Sequence, residues 1–573
     1  MKDGFLKAAA AAPKIRVADP AWNALEICKA LDSCYAQRAK LIVLPELCLT
    51  GYTCQDLFLQ ERLLEESLEG LQTVLEHTKG HDALTFVGLP FEKDGKLYNV
   101  AAAVQDGRIL GLVPKQNIPN YGEFYEVRHF AAGSREVSEV DVLGQTVPFG
   151  GNLLFSCRNL KGLVVGCELC EDVWVMDPPS TALAKAGATV IVNLSASNET
   201  VGKDTYRKSL IAATSARLLC GYVYASAGDG ESTQDLVFSG HHMIAENGSV
   251  LAEAARFENE TIFSELDIHK ICHERRRMST FVPENTETCV RIGFALEKEE
   301  TKLTRTFAQM PFVPSDETLK KERCEQILSI QAQGLKKRYE HTGAKTAVIG
   351  VSGGLDSTLA LLVTARAFDL LGKDRNDILA VTMPCFGTTN RTYENACRLA
   401  QTLGAKLIEV NIREAVQVHF RDIGQDMDKH DVTYENGQAR ERTQVLMDLA
   451  NQSNGLVIGT GDMSELALGW ATYNGDHMSM YGVNVGVPKT LVRHLVAYCA
   501  NTCSESEKVL QEVLLDVLDT PVSPELLPPE DGKISQKTED LVGPYELHDF
   551  FLYQLLRCGF GPAKIYRLAC RAF

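Results

Sequence analysis

Short apolar runs alternate with amphipathic stretches through the first 275 residues of this 573-residue chain. The runs have the length of buried strands, and the amphipathic stretches repeat apolar residues at helical spacing. The pattern predicts strands at 41–44, 84–89, 101–104, 162–166 and 189–194, and helices at 23–38, 60–78 and 205–219. Asp106-Gly107 and Asn247-Gly248, each between apolar runs, predict two hairpins. The first half is therefore predicted to be a layered α/β domain.

A second α/β series follows a region that shows neither periodicity. Residues 276–317 carry three prolines and a charged run, which predicts a linker. Beyond it the pattern predicts strands at 346–351, 378–383, 406–411 and 455–458, with helical stretches between them. That spacing is typical of a doubly wound parallel sheet, whose ligands bind at the carboxyl ends of the strands. The predicted domains are residues 1–275 and 318–573.

The charge of the chain narrows the classes of partner. Lys plus Arg number 58 and Asp plus Glu number 75, so the formal net charge is −17. Nucleic acid and anionic membranes attract positive charge, and neither is expected as a partner. No apolar run approaches the roughly 20 residues that span a bilayer. The 17 cysteines, an odd number spread along the chain, are typical of reduced thiols in a cytoplasmic protein.

The most specific motif follows the apolar strand at 346–349 and precedes a helical pattern at 358–371. Glycines at such a turn let backbone N–H groups and the positive end of a helix dipole meet an anion, which predicts a phosphate site. A tight turn with helix capping is the alternative, and Asp356 suits an anion site only with Mg²⁺ or in an ordering role. The residues of this run are Gly350, Val351, Ser352, Gly353, Gly354, Leu355, Asp356 and Ser357.

The run is not the Gly-x4-Gly-Lys-Ser/Thr loop of kinases and GTPases. It resembles the pyrophosphate-binding loop of the N-type ATP pyrophosphatase family. Members of that family adenylate a substrate oxygen, release pyrophosphate and let a nucleophile displace AMP. The resemblance implies that the loop binds ATP and stabilises the leaving pyrophosphate. It also implies an adenine nucleotide α-hydrolase-like fold for the second domain.

Four further runs, at 434–442, 459–473, 486–490 and 546–551, resemble NAD synthetases. The resemblance implies that Thr460 contacts ATP and that Asp356 and Glu465 bind Mg²⁺. Trp470 and Tyr473 can stack on a flat ring, although Trp470 taken alone favours a buried core aromatic. The residues implied for binding deamido-NAD are Asn436, Glu465, Trp470, Ala471, Thr472 and Tyr473.

In the first half, three reactive residue types each follow an apolar run: Glu46, Lys115 and Cys170. Taken singly, the glutamate could be a structural partner of turn N–H groups, and a lone lysine is nearly always solvated. Cys167 and Cys170 also form a Cys-x-x-Cys, for which a redox motif or half of a zinc site is the alternative.

Together the three residues resemble the Glu–Lys–Cys triad of the nitrilase superfamily, which implies an α-β-β-α sandwich. The resemblance implies that Cys170 is the nucleophile, Glu46 the general base and acid, and Lys115 an ammonium that favours the thiolate and the oxyanion. These types suit amide hydrolysis, because a thiolate attacks the amide carbon while a carboxylate moves the proton. Either Glu123 or Glu126 then adds a carboxylate beside the lysine.

The same resemblance implies residues around a glutamine substrate. Tyr121, Ser197 and Lys203 are implied as glutamine contacts, and Glu171 as a partner of the glutamine amino group. The family has arginine at the position of Lys203. Lysine keeps the positive charge for the substrate carboxylate but cannot donate the two parallel hydrogen bonds that an arginine gives a carboxylate.

The two halves together resemble the glutamine-dependent NAD synthetase family. This implies that glutamine is hydrolysed through a thioester at Cys170, and that the ammonia reacts with adenylated deamido-NAD. The products are NAD, AMP, diphosphate and glutamate. Another glutamine- and ATP-dependent amidotransferase of the N-type ATP pyrophosphatase family is the alternative. A scaffold in which one half has decayed is disfavoured by the intact triad and phosphate loop.

The resemblance also implies a large homo-oligomer and a basic C-terminal tail that supplies a lysine to the dinucleotide site. This chain stops at Phe573. A native end at this residue predicts weaker deamido-NAD affinity or poorer closure of the site. A fragment of a longer protein is the alternative.

Overall fold

The computed structural model describes residues 1–284, 288–314, 316, 318–523, 526–528 and 538–573. The chain forms two units, Met1–Arg305 and Thr306–Phe573. The strands of the first unit are β1 (Phe5–Ala10), β2 (Leu41–Val43), β3 (Leu84–Lys93), β4 (Lys96–Gln105), β5 (Arg108–Pro114), β6 (Ser138–Val142), β7 (Gln145–Phe149), β8 (Leu153–Cys157), β9 (Val164–Leu169), β10 (Val190–Ser195), β11 (Gly221–Ser226), β12 (Met243–Glu246), β13 (Ser249–Glu253), β14 (Ile262–Asp267) and β15 (Val290–Phe294). Its helices are α1 (Pro20–Ala36), α2 (Glu61–Thr78), α3 (Pro179–Lys185), α4 (Lys203–Leu218) and α5 (Ile268–Arg277).

The strands of the first unit form two sheets with a shared apolar core. One sheet has the order β14-β1-β2-β3-β4-β5-β7-β6, and the other β13-β12-β11-β10-β9-β8-β15. Side chains such as Val43 and Phe86 from the first sheet and Val165 and Val192 from the second lie in one buried cluster. Helices α1 and α2 cover the outer face of the first sheet, and α3 and α4 that of the second. The predicted α-β-β-α sandwich is confirmed.

Both predicted hairpins form. Asp106 and Gly107 join β4 to β5, and Asn247 and Gly248 join β12 to β13. All four residues have positive φ, between 46° and 89°. This conformation matches the twist of a two-residue hairpin and explains why Asp-Gly and Asn-Gly occur there.

The region predicted to be a linker contains a strand. Val290–Phe294 pairs in parallel with β8 at the edge of the second sheet. Only Phe294 of this strand is buried, so the alternation that marks a strand in a sequence is weak. A linker over the whole of 276–317 is therefore the wrong description of this segment.

The second unit contains one five-stranded sheet and its covering helices. Its strands are β16 (Thr346–Gly350), β17 (Ile378–Thr382), β18 (Lys406–Glu409), β19 (Gly455–Gly459) and β20 (Tyr481–Gly482). Its helices are α6 (Lys320–Thr342), α7 (Leu355–Leu371), α8 (Asn390–Thr402), α9 (Arg413–Ile423), α10 (Val432–Ser453), α11 (Met463–Leu468), α12 (Lys489–Asn501), α13 (Lys508–Asp519), α14 (Thr538–Val542), α15 (Tyr545–Leu556) and α16 (Pro562–Ala572).

All pairings in this third sheet are parallel, in the order β18-β17-β16-β19-β20. Apolar clusters lie on both faces, one with α6, α7, α12 and α13 and the other with α9 and α10. The predicted doubly wound sheet is confirmed, and its order reverses direction next to β16, where ligands of this architecture bind. None of the helices in the described ranges has both the length and the apolar character needed to cross a bilayer.

Candidate active sites

The structure brings Glu46, Lys115 and Cys170 together in the first unit. Glu46 follows β2 and Lys115 follows β5 in one sheet, while Cys170 follows β9 in the other. Lys115 Nζ donates to Glu46 Oε1 at 2.7 Å, and both side chains are completely buried. Cys170 is 5% exposed. The solvated-surface alternative for Lys115 is therefore wrong.

Glu46 lies where the chain passes close to β3. A Cβ on Gly88 would lie 2.4 Å from the nitrogen of Leu47, so only glycine permits this approach. The carboxylate is then bound from three sides. Asn99 Nδ2 donates to Oε1 at 2.7 Å, beside Lys115 Nζ, and the Ala196 N–H donates to Oε2 at 2.8 Å. These donors fix the orientation of the predicted general base.

Cys170 sits at a strained turn, with φ of +39°. Its backbone N–H donates to Asn193 Oδ1 at 3.1 Å. Burial, then the negative charge of Glu46, raises the pKa of the thiol above its ordinary value, and the ammonium of Lys115 only partly opposes this. The lysine thus favours the thiolate, as expected, but its effect on this pKa is smaller than that of burial and Glu46 together. A neutral thiol needs a base when it attacks, and Glu46 is placed beside it.

Glu126, not Glu123, is the second carboxylate beside Lys115. Lys115 Nζ donates to its two oxygens at 2.6 and 2.9 Å, and the Tyr52 hydroxyl donates to Oε1 at 2.7 Å. Burial raises the pKa of Glu126 to about 7. Burial alone would lower the pKa of Lys115, but Glu126 and Glu46 outweigh it and raise this pKa well above its usual value. The lysine is thus held as a cation in a buried site.

Cys167 lies in the apolar core between the two sheets and is completely buried. All 17 cysteines are free thiols. Among the described residues, no group of three potential metal ligands includes a cysteine. The zinc alternative for the Cys-x-x-Cys therefore finds no partner ligands in this part of the chain.

Three of the residues implied for glutamine, Tyr121, Glu171 and Lys203, lie near Cys170. Tyr121, which is 58% exposed, donates its hydroxyl to Glu171 at 3.0 Å. Burial raises the pKa of Glu171 and lowers that of Lys203. Lys203 Nζ lies 5.7 Å from the ring centroid of Phe124 and 5.4 Å from that of Trp174. Aromatic faces hold a cation there without neutralising it, which leaves it available for an anion.

Next to Ser197 and Asn198 lies a charged group that the sequence did not single out. Arg207 is completely buried and donates to Glu199 at 3.0 Å, to the Asn198 carbonyl at 3.0 Å and to the Ser197 hydroxyl at 3.4 Å. Lys203 also donates to Asn198 Oδ1. Ser197 is buried, its hydroxyl accepts from Arg207, and its backbone N–H donates to Ser226 Oγ at 3.4 Å. An arginine in an amphipathic helix gives no sequence signal of such burial.

In the second unit, the predicted phosphate loop connects β16 to the N-terminus of α7. Gly353 has φ of +85°, and a Cβ on it would lie 2.1 Å from the Thr392 carbonyl oxygen. Ser352 Oγ accepts from the Gly354 N–H at 3.2 Å, and Ser357 Oγ donates to the Gly354 carbonyl at 3.1 Å. The loop is therefore a turn held by side-chain hydrogen bonds at the positive end of a helix, and such a turn suits a phosphate.

Asp356, Asp462 and Glu465 place carboxylate oxygens within 4.8 Å of one another. Lys489 Nζ lies among them, 2.6 Å from Asp356 and Asp462 and 2.8 Å from Glu465. Burial raises the pKa of Asp356 to about 6 and that of Glu465 to about 8. Among the described residues, Asp356 Oδ1 has no hydrogen-bond partner and is buried. Mg²⁺ prefers carboxylate oxygens as ligands. The three carboxylates around the Lys489 ammonium, with Asp356 Oδ1 available as a ligand atom, therefore fit a Mg²⁺ site.

A cavity of about 530 Å³ opens at the carboxyl edge of this sheet. Its lining includes the phosphate loop except Gly353, together with Thr460, Asn436, Glu465 and the segment 470–473. Asn436 Oδ1 accepts from the Tyr473 N–H at 3.1 Å. Trp470 is half-buried against the cavity, so the core-aromatic alternative for it is wrong.

Two residues of this site, Asp462 and Lys489, were given no role by the sequence analysis. Asp462 caps α11 by accepting the Glu465 N–H at 2.8 Å, and Lys489 begins α12. Both lie inside runs that carry the resemblance, 459–473 and 486–490. A strand-end aspartate next to Thr460 was the available signal, whereas the burial of the lysine depends on the tertiary fold.

Known protein families agree with the two units. The carbon-nitrogen hydrolase family model matches residues 7–275, and the NAD synthase model matches residues 327–555. The glutamine-dependent NAD(+) synthetase of Mycobacterium tuberculosis (strain ATCC 25618 / H37Rv) is 42% identical over 585 residues, which cover 100% of this chain and 86% of the relative. The protein of that name from Aquifex aeolicus (strain VF5) is 29% identical over 96% of this chain and 89% of its own.

A solved structure of the glutamine-dependent NAD+ synthetase from Acinetobacter baumannii, in complex with adenosine diphosphate, aligns over 98% of this chain and 90% of its own, with 24% identity and a TM-score of 0.39. The matched families define a protein that joins a carbon-nitrogen hydrolase domain to an NAD synthase domain. The chain belongs to the glutamine-dependent NAD(+) synthetase family.

Proposed function

We propose that this protein makes NAD from deamido-NAD with ATP and with ammonia released from L-glutamine. The observation that carries the proposal is the presence of two chemically complementary sites in one chain. One has a buried thiol with a carboxylate and an ammonium beside it. The other has a phosphate loop, a carboxylate cluster and a cavity large enough for a nucleotide. Sequence identity of 42% over the full chain supports the same reaction.

At the first site, Glu46 accepts the Cys170 proton as Sγ attacks the amide carbon of glutamine. The same proton then passes to the departing nitrogen, so that ammonia leaves and a thioester remains. Water attacks the thioester, Glu46 takes its proton and returns it to Sγ, and glutamate is released. Lys115, held as a cation by two carboxylates, stabilises the oxyanion that forms in each half of the reaction.

Glutamine itself is held by groups near Cys170. Lys203 binds the substrate carboxylate, because it keeps a positive charge between two aromatic rings. Glu171 binds the amino group, with Tyr121 hydrogen-bonded to it. Ser197, which is buried, contributes a polar group.

At the second site, residues 350–357 and Thr460 bind ATP, with backbone N–H groups and the α7 dipole directed at the diphosphate that leaves. Asp356, Glu465 and Asp462 would hold Mg²⁺, which neutralises phosphate charge when bound. Asn436, Glu465 and residues 470–473 bind deamido-NAD, whose nicotinate carboxylate is adenylated. Ammonia then displaces AMP and NAD forms.

Ammonia links the two reactions. In bulk water near pH 7 it is mostly ammonium, which is not a nucleophile. A protein that both releases and consumes ammonia therefore works better if the ammonia passes between its sites without entering bulk water.

We also propose that the enzyme is a cytoplasmic homo-oligomer, as the family resemblance implies. The 17 free thiols suit a reducing compartment.

Replacement of the nucleophile tests both sites at once. NAD formation from deamido-NAD, ATP and Mg²⁺ is measured with glutamine or with ammonium chloride, for the wild type, Cys170→Ala and the control Cys167→Ala. We expect Cys170→Ala to use ammonium only, because the second site needs no thiol. Cys167→Ala, which changes a core thiol, should use both sources.

Two results would contradict the proposal. Glutamine-dependent NAD formation by Cys170→Ala would remove Cys170 as the nucleophile. Glutamine hydrolysis by the wild type with no NAD from either source would remove the synthetase reaction and leave another acceptor to be found.

A further inference from the structure

The reacting groups of the glutaminase site come from two different sheets. Glu46 and Lys115 follow strands of the first sheet, whereas Cys170 follows a strand of the second. Apolar packing between sheets is non-directional, so it does not by itself set the position of one strand end against another to within a fraction of an ångström. A misplacement of 1 Å at a reacting centre can cost about 100-fold in rate. Glu46 has a directional connection to the second sheet through the Ala196 N–H, and the pair Lys115 and Cys170 needs one of its own.

Asp172 makes such a connection. It lies two residues after Cys170, in the 3₁₀ turn Cys170–Val173, and is completely buried. Its Oδ1 accepts the backbone N–H and the side-chain Nδ2 of Asn117, both at 2.8 Å. Its Oδ2 accepts the Leu169 N–H at 3.1 Å and the Gln116 N–H at 3.4 Å. Gln116 and Asn117 directly follow Lys115.

We propose that Asp172 is a positioning residue that fixes Lys115 relative to Cys170 across the two sheets. The inference rests on the proposed glutaminase function of Cys170. One carboxylate oxygen binds the chain that follows the lysine, and the other binds the residue that precedes the nucleophile. The two catalytic strand ends are thereby joined through a single side chain.

The chemistry of the donors explains why this side chain is a carboxylate. All four donors are N–H groups, and a carboxylate offers acceptors only. An asparagine in its place would turn an NH₂ group toward two of these N–H groups. Because both oxygens are already used by the protein, Asp172 takes no part in moving the substrate proton.

The test compares the full-length wild type with Asp172→Asn and with a matched control, Asp177→Asn. Asp177 is five residues further along, with a side chain that is 76% exposed. Glutamine hydrolysis gives kcat and KM, and NAD formation with ammonium reports the second site. Peptide mass mapping gives the rate of alkylation at Cys170 by chloroacetamide, separately from the other 16 thiols.

For Asp172→Asn we expect kcat to fall about 100-fold with KM for glutamine within about threefold, because the substrate contacts lie elsewhere. Alkylation of Cys170 should slow, since Glu46 and Lys115 no longer meet the thiol correctly. Ammonium-dependent NAD formation and all properties of Asp177→Asn should match the wild type.

A purely structural role gives the opposite alkylation result. A loosened turn would expose the thiol, which is now 5% exposed, and speed its alkylation. Faster alkylation, or a kcat within about threefold of the wild type, would overturn the proposal. Loss of the proposed function is distinguishable, because Cys170→Ala would then retain glutamine-dependent activity.

A second variant carries the test if Asp172→Asn does not fold, as judged by circular dichroism and gel filtration. Asn117→Ala removes one charge-assisted hydrogen bond from the opposite side of the connection and leaves Asp172 in place. We expect kcat to fall about tenfold with KM unchanged, consistent with the loss of one such bond. An unchanged kcat for Asn117→Ala would overturn the proposal.

Discussion

Glu168 is a buried acid in the strand that leads to the nucleophile. It is completely buried, and it accepts the Tyr222 hydroxyl at 2.6 Å and the Ser180 N–H at 2.8 Å. Burial raises the pKa of Glu168 to about 7 from 4.5. The Tyr222 hydroxyl also accepts from Asn193, whose Oδ1 binds the Cys170 N–H. The acid is thus the far end of a polar chain that supports the nucleophile.

Glu168→Gln should change how the stability of the first unit depends on pH. The folded state keeps a proton that the unfolded chain releases above pH 4.5, so the wild type loses stability as the pH rises from about 4.5 to about 7. The loss amounts to about 3 kcal/mol for one fully buried group. Calorimetry between pH 4 and 8 should show this fall in Tm for the wild type and a flatter profile for the variant.

The exposed Glu139 on β6 provides the control, because Glu139→Gln should keep the pH profile of the wild type. Equal pH profiles for wild type and Glu168→Gln would mean that the acid is ionised in the folded protein across this range.

Single residues were predictable where a strand and a family motif coincide. Glu46, Lys115 and Cys170 each follow an apolar run, and the structure brings them together. Asp172 and Glu126 could not be assigned in the same way. Their partners lie on chain segments that only the tertiary fold brings close, and local periodicity carries no information about such contacts.

At the scale of elements, the turn between β16 and α7 depends on one glycine. Gly353 combines a left-handed backbone with the close approach of α8 through the Thr392 carbonyl. A side chain there would have to displace either the loop or the helix. The placement of the phosphate site thus depends on contact between two neighbouring elements as well as on the loop's own sequence.

Gly353→Ala should lower kcat/KM for ATP by about 100-fold, because the loop moves away from the phosphates. Steady-state NAD formation with ammonium as the nitrogen source measures this effect without the first site. Thermal unfolding should also occur at a lower temperature, since the φ of +85° costs a side chain about 1–3 kcal/mol.

Gly561→Ala is the matched control in the same unit, because a Cβ there meets nothing within 4 Å. Wild-type ATP kinetics in Gly353→Ala would show that the loop can adjust and that its geometry does not limit phosphate binding.

Elements with strong hydrophobic periodicity were predicted well, whereas elements with weak periodicity were not. Helix α2 was expected at 60–78 and spans Glu61–Thr78, with one apolar face buried. Strand β15 was missed because a parallel edge strand needs only one buried residue, Phe294, to stay in place. Charged flanking residues then gave the whole segment the composition of a linker.

At the scale of the whole molecule, the two reactions occupy separate units with separate cores. The triad lies within Met1–Arg305, and the carboxylate cluster lies within Thr306–Phe573. We expect substitutions in one unit to leave the chemistry of the other intact, because each site is built from residues of its own unit.

Asp356→Asn should abolish NAD formation from both nitrogen sources and leave basal glutamine hydrolysis within about twofold of the wild type. The variant removes a negative charge from the group that surrounds Lys489 and weakens binding of Mg²⁺ and the triphosphate. Parallel assays of glutamate release and NAD formation measure the two effects on one preparation.

Asp369→Asn is the control, since this exposed carboxylate pairs with Arg375 in the same unit. Ammonium-dependent NAD formation by Asp356→Asn at the wild-type rate would exclude Asp356 from the reaction.

The position of β14 has a consequence for how the enzyme is made. This strand, Ile262–Asp267, completes the first sheet by pairing with β1, the first strand of the chain. Until Ile262–Asp267 has been made, β1 is the unpaired edge of this sheet in the nascent chain. An unpaired edge strand can pair with another chain. We therefore expect the first unit to be open to mispairing during its synthesis until translation has passed Asp267, shortly before the second unit begins.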